Sequence, residues 1–182
     1  RRNCWAHAMP DLSPWDSFYV IVGSSAGALI GLQFVVMTLM ADSPTRAGAL
    51  TGAAFGSPTV VHFSVALLLA AIVRVPWPSL HYFALALGAV GAVGILYMAV
   101  VARRMHIQDD YRPDLEDWIF HLLIPFAAYA LLLTAAIATG ARWALFAVAL
   151  AALMLLYDGI HNSWDSVAYH VFVIRRKAKP PS

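Results

Sequence analysis

Residues 18–40 read FYVIVGSSAGALIGLQFVVMTLM, an unbroken stretch without one charged side chain. About 20 apolar residues in a helix cross the hydrocarbon core of a bilayer, so this run is long enough to span a membrane. Four more such runs follow. The second is Thr59–Val73, extended by Arg74–Trp77, and the third is His81–Ala102. The fourth is Trp118–Thr139, and the fifth starts near Ala144 and stays compatible with a helix to about Ile174. Inside lipid every backbone N–H and C=O must be satisfied within its own segment, which a helix does and an open strand does not. The reading is an all-α integral membrane protein, a bundle of five transmembrane helices.

Composition agrees. Of the 182 residues, 61% are hydrophobic and 12% charged, where a water-soluble domain carries about 25% charged side chains. The mean hydropathy is +0.71. Cys4 is the single cysteine, so no disulfide forms within the chain. The segment before Met9 has no apolar core of signal-peptide length, and the first span is expected to act as its own insertion signal. Nothing in the charge pattern suggests nucleic-acid binding.

The punctuation fits the spans. Ser57-Pro58 reads as a helix start, and the PWPSL segment at 76–80 as a tight interfacial turn. Asp114 can cap the fourth helix, with Glu116 and Asp117 in its first turn, where the helix dipole favours acids. Gly140 is expected to end that helix. Trp15, Trp77, Trp118 and Trp143 fall at span ends, as an aromatic belt requires. Arg46, Arg103, Arg104, Arg112, Arg175, Arg176, Lys177 and Lys179 lie on one side of a five-span topology. Arg1, Arg2, Arg74 and Arg142 lie on the other. The positive-inside rule then places the N-terminus outside and the C-terminus in the cytoplasm of a cell membrane, the bacterial inner membrane being expected. Residues 1–17 form an extracytoplasmic segment, 18–174 the membrane domain and 175–182 a basic cytoplasmic tail.

Polar side chains within the spans carry the functional reading, because ionisable groups are costly there. His62, His121, Asp158 and His161 fall at similar depths towards the cytoplasmic side, and Gln33 and Tyr97 accompany them. At about 100° per residue, Asp158, His161, Asn162 and Asp165 cover about 100° of the fifth helix, in the stretch YDGIHNSWD at 157–165. Asp114, Asp117 and His121 share a face of the fourth.

Three uses compete. The groups can satisfy one another and lock the bundle, although polar bonds between membrane helices average only about 0.6 kcal/mol. They can bind zinc, iron or haem, with His62, His121, His161 and Asp158 as ligands. In that case Asp117 and Asp165 orient imidazoles, and Asn162, Gln33 and Tyr97 line the site, which can act on a lipid-soluble substrate. They can also form the gate or filter of an oligomeric ion or proton conductor. The other half of the bundle opposes a path through one chain, since Ser24, Ser25, Tyr129 and Thr134 alone interrupt its apolar wall. A structural subunit of a larger membrane complex is a further class. Histidines with aspartates in a membrane bundle are similar, in residue types only, to intramembrane zinc amidohydrolases of the alkaline ceramidase kind. Those have seven spans and a His-x-x-x-His pair, which is absent here, so no activity is carried over.

Two glycine strips invite close helix packing. Gly23, Gly27 and Gly31 are spaced by four on the first span, and Gly88, Gly91 and Gly94 by three on the third. Either strip can pack within one bundle or join a second copy in a homo-oligomer.

Overall fold

The computed structural model describes residues 11–41, 57–107 and 113–169. Among them are five helices long and apolar enough to cross a membrane. They are α1 (Asp16–Ala41), α2 (Ser57–Arg74), α3 (Leu80–Ile107), α4 (Leu115–Ile137) and α5 (Arg142–Tyr169). A single 3₁₀ turn at Ser13–Trp15 leads into α1. The N-terminal segment before residue 11, Arg46, Arg112, Ile174 and the basic tail lie outside the described residues. No strand occurs among the described residues.

Helix is the state that leaves no backbone polar group facing lipid. Outward hydroxyls obey the same demand. Ser24 Oγ donates to Val20 O (2.7 Å), Ser64 Oγ to Val60 O (2.8 Å), and Thr134 Oγ1 to Leu131 O (2.9 Å). With no water available, each hydroxyl bonds to its own helix.

The helices pack in the order α1, α2, α5, α4, α3, with a lighter contact between α2 and α3. The two central helices bury half of their apolar window, whereas α1 at the edge buries 17%. On α5 the buried stripe is Ala144, Ala147, Val148, Ala151, Ala152 and Leu155, recurring every three or four residues. Small alanines let α5 sit close to α2 and α4. One end of the bundle carries Trp15, Trp77 and Trp143 and is called the Trp77 end; the opposite one carries Arg103 and Asp114 and is called the Arg103 end.

At the Trp77 end, α2 stops because Pro76 and Pro78 cannot continue it. The Trp77 indole N–H then donates to Ile72 O at 2.8 Å, satisfying one of the carbonyls a helix end leaves open. Arg74 pairs with Asp16 and ties the end of α2 to the start of α1. At the Arg103 end, Asp114 caps α4 as the sequence suggests. Its Oδ1 accepts from Asp117 N at 3.0 Å, while Asp117 Oδ2 accepts from Asp114 N at 3.0 Å, a reciprocal capping box.

Gly140 does not end α4. The helix stops at Ile137, Ala138 leaves helical geometry, and a short turn closes with Ala141 N donating to Ala138 O at 2.8 Å. No glycine among the described residues has positive φ, so the left-handed cap that would use Gly140 is not formed.

The glycine strips part ways. A Cβ on Gly91 would lie 2.9 Å from Leu133 Cγ, and one on Gly94 would enter the Tyr129 ring at 2.0 Å. That strip therefore serves the contact of α3 with α4 inside the bundle. A Cβ on Gly23 would lie 3.2 Å from Ala70 Cβ, so that glycine serves the contact of α1 with α2, but Gly27 and Gly31 face open space.

Candidate functional site

Asp158 and Asn162 continue the alanine stripe of α5 towards the Arg103 end. They occupy the same helical face as Leu155 and Ala151, so the packing that buries the alanines buries them too. Asp158 is 0% exposed and Asn162 1%. On α2 the stripe Val73, Leu69, Ala66 and Phe63 likewise runs into His62, which is 0% exposed. Where α2 and α5 touch, these polar ends meet.

His62 Nδ1 donates to Asp158 Oδ2 at 2.7 Å, and Asn162 Nδ2 donates to the same oxygen at 3.0 Å. Two donors on one oxygen fit a carboxylate, which only accepts. Donation to a carboxylate assigns the imidazole proton to Nδ1. Among the described residues His62 Nε2, Asp158 Oδ1 and Asn162 Oδ1 have no hydrogen-bond partner, and neither do the buried hydroxyls of Thr59, Tyr97 and Tyr129. Buried polar groups are nearly always bonded. These atoms have valences that no described side chain fills.

The ring of Tyr129 stands edge-on to His62, with centroids 6.1 Å apart, and its hydroxyl lies within electrostatic range of Asp158 and Tyr97. Gly94 makes room for that ring. Gly159 does the same for Phe63, whose ring a Cβ would strike at 2.5 Å. Both glycines support the site without touching its polar atoms.

His121 is placed by a local defect. Pro125 has no N–H, and in a regular helix its ring would clash with the carbonyl four residues earlier, which is that of His121. The chain answers with a π-turn at Ile119–Leu123, closed by Ile124 N–H bonding to Ile119 O. Such turns recur at functional sites. His121 is 5% exposed, bonds to the Asp117 backbone, and lies within electrostatic range of both Asp158 and His62.

The structure separates the other expected members. His161 Nε2 lies 3.2 Å from Glu116 Oε1, and its ring stacks on Phe120 at 3.5 Å and 4°. Gln33 is buried but accepts from Ser163 Oγ at 3.0 Å, joining α1 to α5. Asp117 is buried in its capping box, Tyr97 is half-buried, and Asp165 is exposed. Among the described residues no three His, Cys, Asp or Glu side chains are set to hold a metal ion.

Sequence reasoning missed Tyr129 as a neighbour of His62, and Glu116 and Phe120 as partners of His161. Pro125, four residues after His121, was the available signal for the π-turn. No protein-family model, curated protein or solved structure matches the chain.

Proposed function

We propose that this polytopic membrane protein takes up a cation at the His62–Asp158 pair, and that the cation is the proton. The observation that carries the reading is an alternating series of carboxylate and imidazole groups leading inward from the surface. Glu116, with 68% of its side chain exposed, exchanges protons with water and pairs with His161. His161 Nδ1 is buried without a partner, and Asp158 lies within electrostatic range of this ring. Asp158 then holds His62, and its unbonded Oδ1 is the terminal acceptor. A proton entering at Glu116 passes to His161 Nε2, leaves from Nδ1 to Asp158 Oδ1 and is held there beside His62.

Beyond His62 the core between α1, α2 and α5 is apolar, with Tyr19, Val22, Leu69 and Val73 closing it. The series therefore loads from one face, which the Lys and Arg distribution makes the cytoplasmic one. The chain acts as a proton-binding element of a membrane transporter or channel, by itself or as part of an oligomer.

Imidazole ¹⁵N resonances of the detergent-solubilised protein test this. His62 is expected to show a protonated Nδ1 and a bare Nε2, with the Nδ1 resonance responding when Asp158 takes up a proton. Asp158→Asn is expected to abolish that fixed tautomer. A His62 protonated on Nε2 throughout would sink the proposal. Replacing His161 by Phe keeps a stack on Phe120 but removes the relay. It is expected to slow proton exchange at His62 by about 10²-fold, the usual worth of a positioned acid-base group, while leaving the affinity of the pair nearly unchanged.

A second reading is favoured by the bare Nε2 of His62 beside the unbonded Oδ1 of Asp158, with His121 in range. A carboxylate that orients an imidazole is also how proteins prepare a metal ligand. A zinc or iron ion bound at His62, His121 and Asp158 requires these groups to draw together around it. Elemental analysis and an absorption spectrum decide: one metal or haem per chain, lost in His121→Ala, replaces the proton reading.

A further inference from the structure

We propose that the lipid-facing cleft between α3 and α4 near the Arg103 end binds one acyl chain of an anionic phospholipid, whose phosphate is held by Arg103 and His106. The cleft has a volume of about 380 Å³ and is walled by Ile95, Met98, Ala99 and Ala102 of α3 and Leu122 and Phe126 of α4. Small-molecule sites typically run to about 300–1,000 Å³. Two features of sequence open it. Ala99 and Ala102 leave a hollow on α3 where larger residues would fill the space. The π-turn before Pro125 displaces Leu122 and its neighbours from a regular helical track.

The wall continues straight into positive charge. Arg103 lies four residues after Ala99, and His106 four after Ala102, so both stand one turn above the cleft on the same stripe of α3. Both are exposed. The facing residues of α4 at that level, Leu115 and Ile119, are exposed and apolar. The carboxylates that begin α4 are turned elsewhere: Asp114 and Asp117 hold each other's backbone, and Glu116 pairs with His161. An apolar cleft capped by the Arg103 guanidinium, with the His106 imidazole as a further hydrogen-bonding group at headgroup level, matches a lipid with an anionic head better than a zwitterionic one. Basic groups beside a span favour anionic lipid by about 1 kcal/mol each. Within α3 and α4 the acidic groups are Glu116 and Asp117, with Asp114 at the cap, while Asp109 and Asp110 of the connecting segment lie outside the described residues.

Native mass spectrometry of the full chain, released from detergent with equimolar phosphatidylglycerol and phosphatidylcholine of the same acyl chains, tests the assignment. One phosphatidylglycerol is expected to stay bound, in preference to phosphatidylcholine by about fivefold or more. Arg103→Gln with His106→Gln is expected to erase that preference, and Ala99→Phe, which adds bulk to an exposed position, to remove both lipids. Equal retention of the two lipids by the unaltered chain, or unchanged retention in Ala99→Phe, would overturn the proposal. The site does not depend on the proton reading. Asp158→Asn is expected to retain phosphatidylglycerol as the unaltered chain does, and its loss there would also count against a separate lipid site.

Discussion

The two halves of this bundle use the same helix faces in opposite ways. Towards the Trp77 end, Tyr19, Val22, Leu69, Val73, Phe83 and Val148 fill the interior, and close contact of hydrocarbon and aromatic surface holds it. Towards the Arg103 end the same stripes carry His62, Asp158 and Asn162, and several polar atoms there find no partner among the described residues. The apolar half is close to a pure packing problem, although the buried Tyr19 hydroxyl there also lacks a partner among the described residues. The polar half is a poor way to hold helices together, since its bonds return little in a membrane. What it offers instead is a base, a carboxylate and spare valences at one depth. On the proposed reading, stability resides in one half and chemistry in the other.

That division can be broken by mutation. Leu69→Ala removes a fully buried side chain from the apolar half and is expected to cost about 2–5 kcal/mol, read as a fall in resistance to denaturation in micelles. A cost below that of the polar substitutions would undo the division. Gly94→Ala forces a Cβ into the Tyr129 ring and is expected to cost about 1–3 kcal/mol. Imidazole ¹⁵N spectra should show the His62 resonances disturbed, because that ring stands edge-on to His62. Asp158→Asn keeps the shape of the pair and is expected to cost only about 1 kcal/mol, yet to abolish the acid response of His62. A loss as large as that of Leu69→Ala would make the pair a structural lock. Gly27→Ala, on the open side of α1, is expected to change monomer stability by less than about 0.5 kcal/mol. A marked shift in oligomeric state on cross-linking would show that this face meets a second copy.

How far each part could be read in advance follows from the kind of signal it leaves. The five spans are written in composition and run length, and their observed bounds fall within a few residues of expectation except where α3 continues past Ala102 to Ile107. The cap at Asp114 is a local motif and was readable. The end of α4 was not, because Gly140 is a permission and Ala138 takes the turn first. Depth along a span was also readable, since each residue adds a set rise, and of the groups it put at one level, His62, His121, Asp158, His161, Gln33 and Tyr97, the pair His62 and Asp158 are bonded to each other. Partner choice was not. His161 shares depth and nearly the face of Asp158, yet a rotation of about 60° around α5 turns it to Glu116 and Phe120.

By itself, then, the sequence of this protein determined that the chain forms five membrane helices and at what level their polar groups lie, because hydrophobic length and helical rise are local properties. Only the tertiary structure decided that α5 stands between α2 and α4, that His62 bonds Asp158 across 96 positions of sequence, and that Gly91 and Gly94 face inward while Gly27 and Gly31 do not. Those outcomes depend on which helix packs against which. In a chain whose spans are apolar on nearly every face, that choice is made by the shapes of small and large side chains meeting across helices, and no single span contains it.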